Sequence, residues 1–254
     1  MTLPATDPVK TAERTLDLFE AFSRCREPMT LSELAAAIGS PVSSTHALVR
    51  TLRARGYLYV LDDRKLIYPT KRLLSVAGLI AMNDPIVAFV LPVMTQLHAD
   101  TDETVILGKQ QGDVVVYLEI LESSHSIRYS ARPGDVKPLY SSAIGKAMLS
   151  LMSDAALHDH LSTAPLAPVT AATITDPGGL GADIRAGRAR NLFVTRGENV
   201  ADVMALAAVV RIGGGAVGLA VAGPMQRIRQ TELATAALLA QAVRELQALD
   251  GAGG

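Results

Sequence analysis

The chain has 254 residues, of which 49% are hydrophobic, enough apolar material for one large domain or two modest ones and too much for a disordered chain. Its 24 Lys and Arg residues nearly balance 25 Asp and Glu residues, and its single cysteine excludes an intrachain disulfide and a multi-thiolate zinc site. The charge is nevertheless uneven. Residues 1–83 carry 11 basic and 8 acidic side chains, whereas residues 84–254 carry 13 and 17. A basic front segment therefore precedes an acidic body.

The front segment carries the signals of three helices. A first helix with one buried stripe is predicted from apolar residues at helical spacing: Val9, Ala12, Leu16, Phe19 and Phe22. Thr30 followed by Glu33 predicts a capping box for a second helix over residues 31–37, which Gly39 ends. Pro41 predicts the start of a third helix, which runs to about Arg55. Two short helices joined by a glycine-containing turn predict a helix-turn-helix.

The third helix has two distinct faces, because each residue turns the helix by about 100°. One sector of about 80° holds Ser43, His46, Arg50 and Arg53. A separate sector of about 100° holds Thr45, Leu48, Val49 and Leu52, which we expect to pack against the protein. Two β-rich runs, residues 57–61 and 66–68, then flank a polar turn and predict a hairpin, the wing.

A winged helix-turn-helix with local positive charge predicts binding to double-stranded operator DNA. A major groove about 12 Å wide admits one helix, whose small N-terminal residues reach base edges while arginines contact guanine or phosphate. For any single arginine, an ordinary solvated surface is the alternative. The residues expected at the DNA are Ser43, Ser44, Thr45, His46, Arg50 and Arg53 on the helix, with Arg64 and Lys65 on the wing.

The acidic body begins after a predicted linker helix, residues 71–82, that stops near Asn83. Asp84 is placed to cap the next helix, with Pro85 at its first position. Further helices are predicted over residues 85–99, 142–151, 154–161, 180–190 and 226–248, and strands over 104–107, 114–121, 127–130, 192–195, 203–211 and 216–221. Strands flanked by helices at both ends predict an α+β fold with a largely antiparallel sheet.

Signals for catalysis, metals or cofactors are weak. Three glycines at 213–215 lie between two strands and favour a hairpin turn over a phosphate loop. His158 and His160 diverge on a helix, and no G-x-S-x-G elbow or Walker motif is present. We therefore expect no catalytic residue, metal or cofactor. Residues 137–146 have two interpretations: a tight start of a helix, or a loop whose backbone N–H groups bind a carboxylate.

The segments VKTAERTLDL (9–18), 31–57 and 103–145 together resemble the IclR family of bacterial transcriptional regulators, and the resemblance extends over about residues 9–248. It implies a winged helix-turn-helix domain over 1–70, a linker helix over 71–83 that helps to dimerise the chain, and a GAF-like effector-binding and oligomerisation domain over 84–254. A homodimer, or a homotetramer as a dimer of dimers, is implied. The family commonly places Arg after the histidine of the recognition helix, whereas here Ala47 follows His46, so that base contact does not carry over.

The resemblance also implies an effector site. The residues carried over by position are Ser142, Ala143, Ile144, Thr195, Ala205, Ala220 and Ala222. Relatives that bind small oxo-acids place polar groups where this chain has Ala220 and Ala222. The expectation is a ligand-responsive regulator, repressor or activator, that senses a small metabolite, an organic acid.

Two other functions stay open at this point. The body could be an enzyme-like domain with an appended DNA-binding module, or the whole chain a constitutive architectural DNA-binding protein. The start of the chain lacks the features of a signal peptide, and no apolar run approaches about 20 residues, so we expect no membrane partner and a cytoplasmic location.

Overall fold

The computed structural model describes residues 9–61 and 65–252, which divide into two compact units on either side of the Asp84–Pro85 bond. The first unit contains α1 (Lys10–Cys25), α2 (Leu31–Ala37), α3 (Val42–Ala54), β1 (Leu58–Leu61), β2 (Leu66–Pro69) and α4 (Arg72–Met82). Strands β1 and β2 pair antiparallel, and Met29 adds a bridge to Ile67. This order confirms the winged helix-turn-helix and the helix that follows it.

Helix α2 begins as predicted. The Thr30 side chain accepts a hydrogen bond from Glu33 N (3.3 Å), and the Glu33 carboxylate accepts one from Thr30 N (2.8 Å), which completes the capping box. Helices α1–α3 and the hairpin enclose one core, whose buried members include Leu18, Phe22, Leu34, Val49, Leu58 and Ile67. The wing is thus packed onto the helix-turn-helix.

The predicted stripe on α1 is wrong in part. Val9 is 71% exposed and Leu16 is 65% exposed, whereas Leu18, Ala21 and Phe22 are buried. Helix α1 carries apolar residues on two faces, and the core selects the face that meets α2 and the hairpin. Helix α4 buries none of its residues, and its most exposed apolar side chains are Leu74, Leu79, Ile80 and Met82. The first unit therefore displays apolar surface on α1 and α4.

The second unit is a six-stranded sheet between two layers of helices. Its helices are α5 (Pro85–Thr101), α6 (Ala143–Leu149), α7 (Asp154–Thr163), α8 (Pro177–Arg188) and α9 (Met225–Ala252). Its strands are β3 (Thr104–Gln111), β4 (Val114–Leu121), β5 (Val136–Pro138), β6 (Phe193–Arg196), β7 (Val203–Ile212) and β8 (Gly215–Pro224). They pair antiparallel in the order β5-β4-β3-β8-β7-β6. Helices α5 and α9 pack on one face of the sheet, and α6, α7 and α8 pack on the other, which confirms the α+β fold.

Two details of this unit depend on local chemistry. The turn between β7 and β8 has positive φ at Gly213 (56°) and Gly214 (76°), the conformation of a two-residue hairpin loop, so the hairpin interpretation is confirmed. The strand predicted over 127–130 is wrong. Its carbonyls accept side-chain hydrogen bonds instead, Ile127 O from Arg227 (3.0 Å) and Tyr129 O from Thr104 (2.6 Å). The strand that pairs with β4 on the side away from β3 is β5.

Candidate DNA-binding surface and ligand cavity

Helix α3 separates a packing face from a polar face, as predicted. Ser43, His46, Arg50 and Arg53 are exposed, and Ser44 is half-buried. Thr45 is 0% exposed, and its hydroxyl donates to Pro41 O (3.2 Å). The prediction of Thr45 as a DNA contact is therefore wrong, because its side chain is used inside the unit.

The basic side chains of this face are free to meet another molecule. His46, Arg50 and Arg53 make no hydrogen bond or ion pair with any residue in 9–61 or 65–252. Arg50 and Arg53 also line a concave surface with Tyr59 of β1, a residue that sequence reasoning did not single out. On the wing, Lys65 is exposed with φ +52°, and the predicted Arg64 lies outside the described residues.

The second unit contains a cavity on the sheet face that carries α6. All seven residues carried over for the effector line it: Ser142, Ala143, Ile144, Thr195, Ala205, Ala220 and Ala222. The rest of the wall is Ile106, Tyr117, Tyr129, Asn199, Val200 and Val203. The enclosed space is about 30 Å³, room for only one or two water molecules, and it becomes about 400 Å³ only when the open space at its mouth is included. A larger ligand therefore needs part of the wall to move.

Strand register produces the floor of the cavity. Thr195 lies opposite Ala205, and Ala205 lies opposite Ala222, while Ala207 and Ala220 are opposite each other in the next row on the same face. Four alanines therefore meet at the centre of the sheet. Their side chains end at a methyl group, which leaves space above the backbone.

Helix α6 forms the roof. The Ser142 hydroxyl accepts from Gly145 N (3.1 Å) and donates to Pro138 O (2.8 Å), so it caps the helix and both its roles are taken. Ile144 lies over Gly108 and Gly218, which are opposite each other on β3 and β8. A Cβ on Gly218 would overlap Ile144 Cγ2, and one on Gly108 would lie 3.1 Å from Ile144 Cδ1. The two glycines therefore leave the space that the Ile144 side chain fills, and we call this pair the glycine seat of Ile144.

The cavity wall is mostly apolar and carries a few uncharged polar groups. Among the described residues, its lining includes no Asp, Glu, His, Lys, Arg or Cys. Burial, reinforced by the adjacent Tyr129 and by Asp135, raises the pKa of Tyr117, which keeps its hydroxyl protonated at neutral pH. The Thr195 hydroxyl has no hydrogen-bond partner among the described residues, and the amide of Asn199 also faces this space. Hydroxyl and amide donors on apolar walls suit a ligand with an apolar body and hydrogen-bond acceptors.

Sequence reasoning missed the tyrosines and the loop residues of this wall. Tyr117 lies on a correctly predicted strand, and its alternation with outward-facing residues was a signal that could have found it. Tyr129 and Asn199 lie in irregular segments, which carry no periodic signal.

The serines that could act as nucleophiles have structural roles, and the histidines of the described residues belong to no cluster of metal-ligating side chains. Ser141 is buried and accepts from Asn199 Nδ2 (3.0 Å), while Ser142 is the helix cap. Across 9–61 and 65–252, no three His, Cys, Asp or Glu side chains are grouped so as to hold a metal ion. In the same part of the chain, no single helix is long and apolar enough to cross a membrane; only α4 and α5 taken together, across a bend, have the required length and composition.

A winged helix-turn-helix followed along the chain by an α+β unit with a small cavity on its sheet is the arrangement of a two-domain transcriptional regulator. Two family descriptions match the chain: "IclR helix-turn-helix domain" over residues 11–62, and "Bacterial transcriptional regulator IclR C-terminal" over residues 80–248. The chain belongs to the IclR family of bacterial transcriptional regulators.

Individual relatives agree with this assignment. The HTH-type transcriptional regulator BhcR of Paracoccus denitrificans is 28% identical over 241 residues, covering 94% of this chain and 86% of the relative. The transcriptional repressor IclR of Escherichia coli is 26% identical over 252 residues, covering 96% and 91%. An IclR homolog from Microbacterium hydrocarbonoxydans, solved in complex with 4-hydroxybenzoate, has the same fold, with a TM-score of 0.75 at 22% identity over 94% of this chain and 98% of that one.

Proposed function

We propose that this regulator binds operator DNA through α3 and the wing, binds a small organic acid in the cavity of its second unit, and changes its DNA affinity when that ligand binds. One observation carries the proposal. A face whose cationic side chains are unpaired within residues 9–61 and 65–252 occurs in the same chain as a cavity with uncharged walls.

The DNA contacts follow from exposure. Ser43 and His46, near the start of α3, are placed to approach base edges. Arg50 and Arg53 reach phosphate or guanine, and Ser44 is close enough to the exposed face for a backbone contact. Lys65, with Arg64 beside it in sequence, gives the wing its phosphate contacts. Thr45 supports the helix from its buried side.

The effector is an acid with an apolar portion rather than a small, highly charged oxo-acid. The methyl-lined floor excludes close polar contacts to the centre of a ligand, and the hydroxyls of Tyr129 and Thr195 donate to its acceptors. Burial of a carboxylate without a cationic partner is costly unless several donors surround it. The bound 4-hydroxybenzoate of the Microbacterium homolog has this mixed character, which makes it a suitable first probe.

Assembly as a dimer, or a dimer of dimers, is part of the proposal. Large apolar side chains such as Leu16 on α1 and Leu74 and Ile80 on α4 are 65–71% exposed, an arrangement that favours burial against another copy. A dimer also suits paired half-sites on operator DNA, since two recognition helices then read adjacent turns.

The second unit acts by binding rather than by catalysis. General acid–base or nucleophilic chemistry needs a convergent set of titratable groups, and tyrosines are the only titratable residues on the cavity wall. Coupling between the two sites is reciprocal: a ligand that weakens operator binding is itself bound less well by the operator complex.

Gel-shift titration with the DNA upstream of the protein's own gene, at several salt concentrations, tests the DNA-binding part. We expect specific binding about a thousandfold tighter than binding to random DNA at physiological salt, and a smaller ratio argues against specific regulation. DNA affinity that no metabolite alters would instead identify an architectural protein.

A thermal-shift screen of organic acids, 4-hydroxybenzoate included, tests the ligand part. A ligand at 100 times its Kd adds about 2.7 kcal/mol of stability, which corresponds to an upward shift of roughly 5–10 °C for a domain of this size. Ala220→Leu is the matched control. Its side chain fills the floor of the cavity, so the shift and the gel-shift response should both disappear while DNA affinity is kept. A response that survives Ala220→Leu would contradict the assignment of the cavity.

A further inference from the structure

A buried ammonium group lies directly behind the cavity. Lys146, on α6, is 0% exposed. Its Nζ lies 2.5 Å from Glu198 Oε2, 2.7 Å from Asp183 Oδ2 and 3.5 Å from Val194 O. The ammonium donates hydrogen bonds to Asp183 and to the Val194 carbonyl, and it forms an ion pair with Glu198. No step in the proposed function uses this cluster.

The two carboxylates differ in place and in burial. Glu198 is buried in the loop of residues 197–202, between β6 and β7, whereas Asp183 lies on α8 with its side chain 43% exposed. Because Glu198 belongs to the loop, movement of the loop would separate its carboxylate from the ammonium. Asp183 can keep its contact with Lys146 when the loop moves, because it belongs to a different element.

This loop is the rim of the cavity. Its residues Asn199 and Val200 line the cavity, and Val200 is 40% exposed. Most of the lining residues on the floor and roof are buried, Ala220 and Ile144 at 2% each. Val200 is the most exposed of the lining residues, which makes the loop the expected entrance for a ligand. The loop is also tied to the start of α6 through the hydrogen bond from Asn199 to Ser141.

We infer that Lys146, Glu198 and Asp183 form a latch on the cavity: Glu198 holds the loop closed, and Asp183 keeps the lysine paired while the loop is open. This inference rests on the proposed ligand-binding role of the cavity. A buried ammonium left without any carboxylate is strongly destabilising. In the open state Asp183 still pairs with Lys146, so that penalty does not arise. The Glu198 carboxylate becomes hydrated as it leaves the ammonium.

Two isosteric variants separate a latch from a purely structural cluster. Glu198→Gln and Asp183→Asn each remove one negative charge beside Lys146 and leave the other, so neither strands the buried ammonium. For a latch, Glu198→Gln weakens only the closed state, and Asp183→Asn weakens mainly the open state. For a structural cluster, both changes loosen the region in the same direction.

Hydrogen–deuterium exchange of the full-length, unliganded chain, followed by mass spectrometry, measures the opening. We expect Glu198→Gln to speed exchange of peptides that cover residues 198–202 by about fivefold, because the ion pair with Lys146 is lost, and Asp183→Asn to leave that exchange unchanged or slow it. Peptides from β8 serve as the internal reference and should exchange as in the wild type. The inference is overturned if Glu198→Gln leaves loop exchange within about twofold of wild type, or if Asp183→Asn speeds it as much as Glu198→Gln does.

The outcome is distinguishable from failure of the proposed function. A metabolite screen without a hit would count against ligand binding and would not change the exchange rates of the unliganded chain. Equal loosening in the two variants would count against the latch even where 4-hydroxybenzoate or another acid binds.

Discussion

The seat of Ile144 on Gly218 allows a double-mutant cycle in the roof of the cavity. Gly218→Ala adds a methyl group that overlaps Ile144 Cγ2, and we expect this overpacking to cost about 1–3 kcal/mol. Ile144 is 2% exposed, so Ile144→Ala should cost about 2–5 kcal/mol through the cavity that it leaves. In the double variant, the new methyl group of residue 218 occupies space that Ile144 has vacated.

The two changes should therefore compensate each other. The double variant loses the overlap with Ile144 Cγ2, keeps a tight 3.2 Å approach to the Cβ of residue 144, and regains about one methyl group, worth roughly 0.8 kcal/mol, relative to Ile144→Ala alone. The coupling free energy is then about −2 to −4 kcal/mol, the sum of the strain that is relieved and the methyl that is regained.

Amide exchange of β7 and β8 as a function of urea measures these values, because those strands report the second unit alone. Gly215→Ala is the matched control on the same strand. Its Cβ would meet only Ile212 O at 3.5 Å, an ordinary contact, so we expect a change within about 0.5 kcal/mol. Additive costs for Gly218→Ala and Ile144→Ala, to within about 0.5 kcal/mol, would refute the assignment of the glycine seat.

Three further predictions concern the remaining parts of the molecule. Arg50→Ala and Arg53→Ala should each weaken operator binding in gel-shift titrations. Where the lost contact is to a phosphate, the slope of log K against log salt should also fall by about 1. The control variant Arg190→Ala, on the second unit, should bind DNA as the wild type does. Because burial raises the pKa of Tyr117, this tyrosine ionises first in the unfolded chain, and the stability of the second unit falls as pH rises above about 10. Tyr117→Phe should make urea midpoints measured from pH 8 to 11 fall less steeply. An unchanged pH dependence would count against the buried position of the Tyr117 hydroxyl. Thr30→Ala should lower the unfolding free energy of the first unit by about 1 kcal/mol through loss of the cap on α2, and an unchanged thermal melt would contradict that role.

Sequence reasoning succeeded where a structure is determined by residues close together in the chain. The capping box of Thr30 and Glu33 and the hairpin turn at Gly213 and Gly214 depend on residues one to three positions apart. Helix α1 has apolar residues on two faces, and only the arrangement of the other helices decides which face is buried. Thr45 lay in the packing sector by angle, and its burial follows from that angle rather than from its polarity.

The candidate site likewise divides into residues on regular elements, which were predicted, and residues in irregular segments, which were not. Family resemblance supplied the residues of the floor and roof, which lie on regular elements. Tyr129 and Asn199 reach the cavity through hydrogen bonds to distant positions, from Thr104 to the Tyr129 carbonyl and from Asn199 to Ser141, 25 and 58 residues away. The burial of Lys146 likewise depends on carboxylates 37 and 52 positions later in the chain, Asp183 and Glu198. No local sequence pattern predicts such contacts.

The alanine floor has a consequence for the evolution of this regulator. Ala205, Ala220 and Ala222 project from strands whose backbone is paired on both sides, so a larger side chain there grows into the cavity without removing a sheet hydrogen bond. If the cavity binds the effector as proposed, single substitutions at these alanines change which metabolite fits, while the recognition helix, on the other unit, keeps its sequence. A lineage that carries this chain would then place the same genes under the control of a different metabolite without acquiring a new operator.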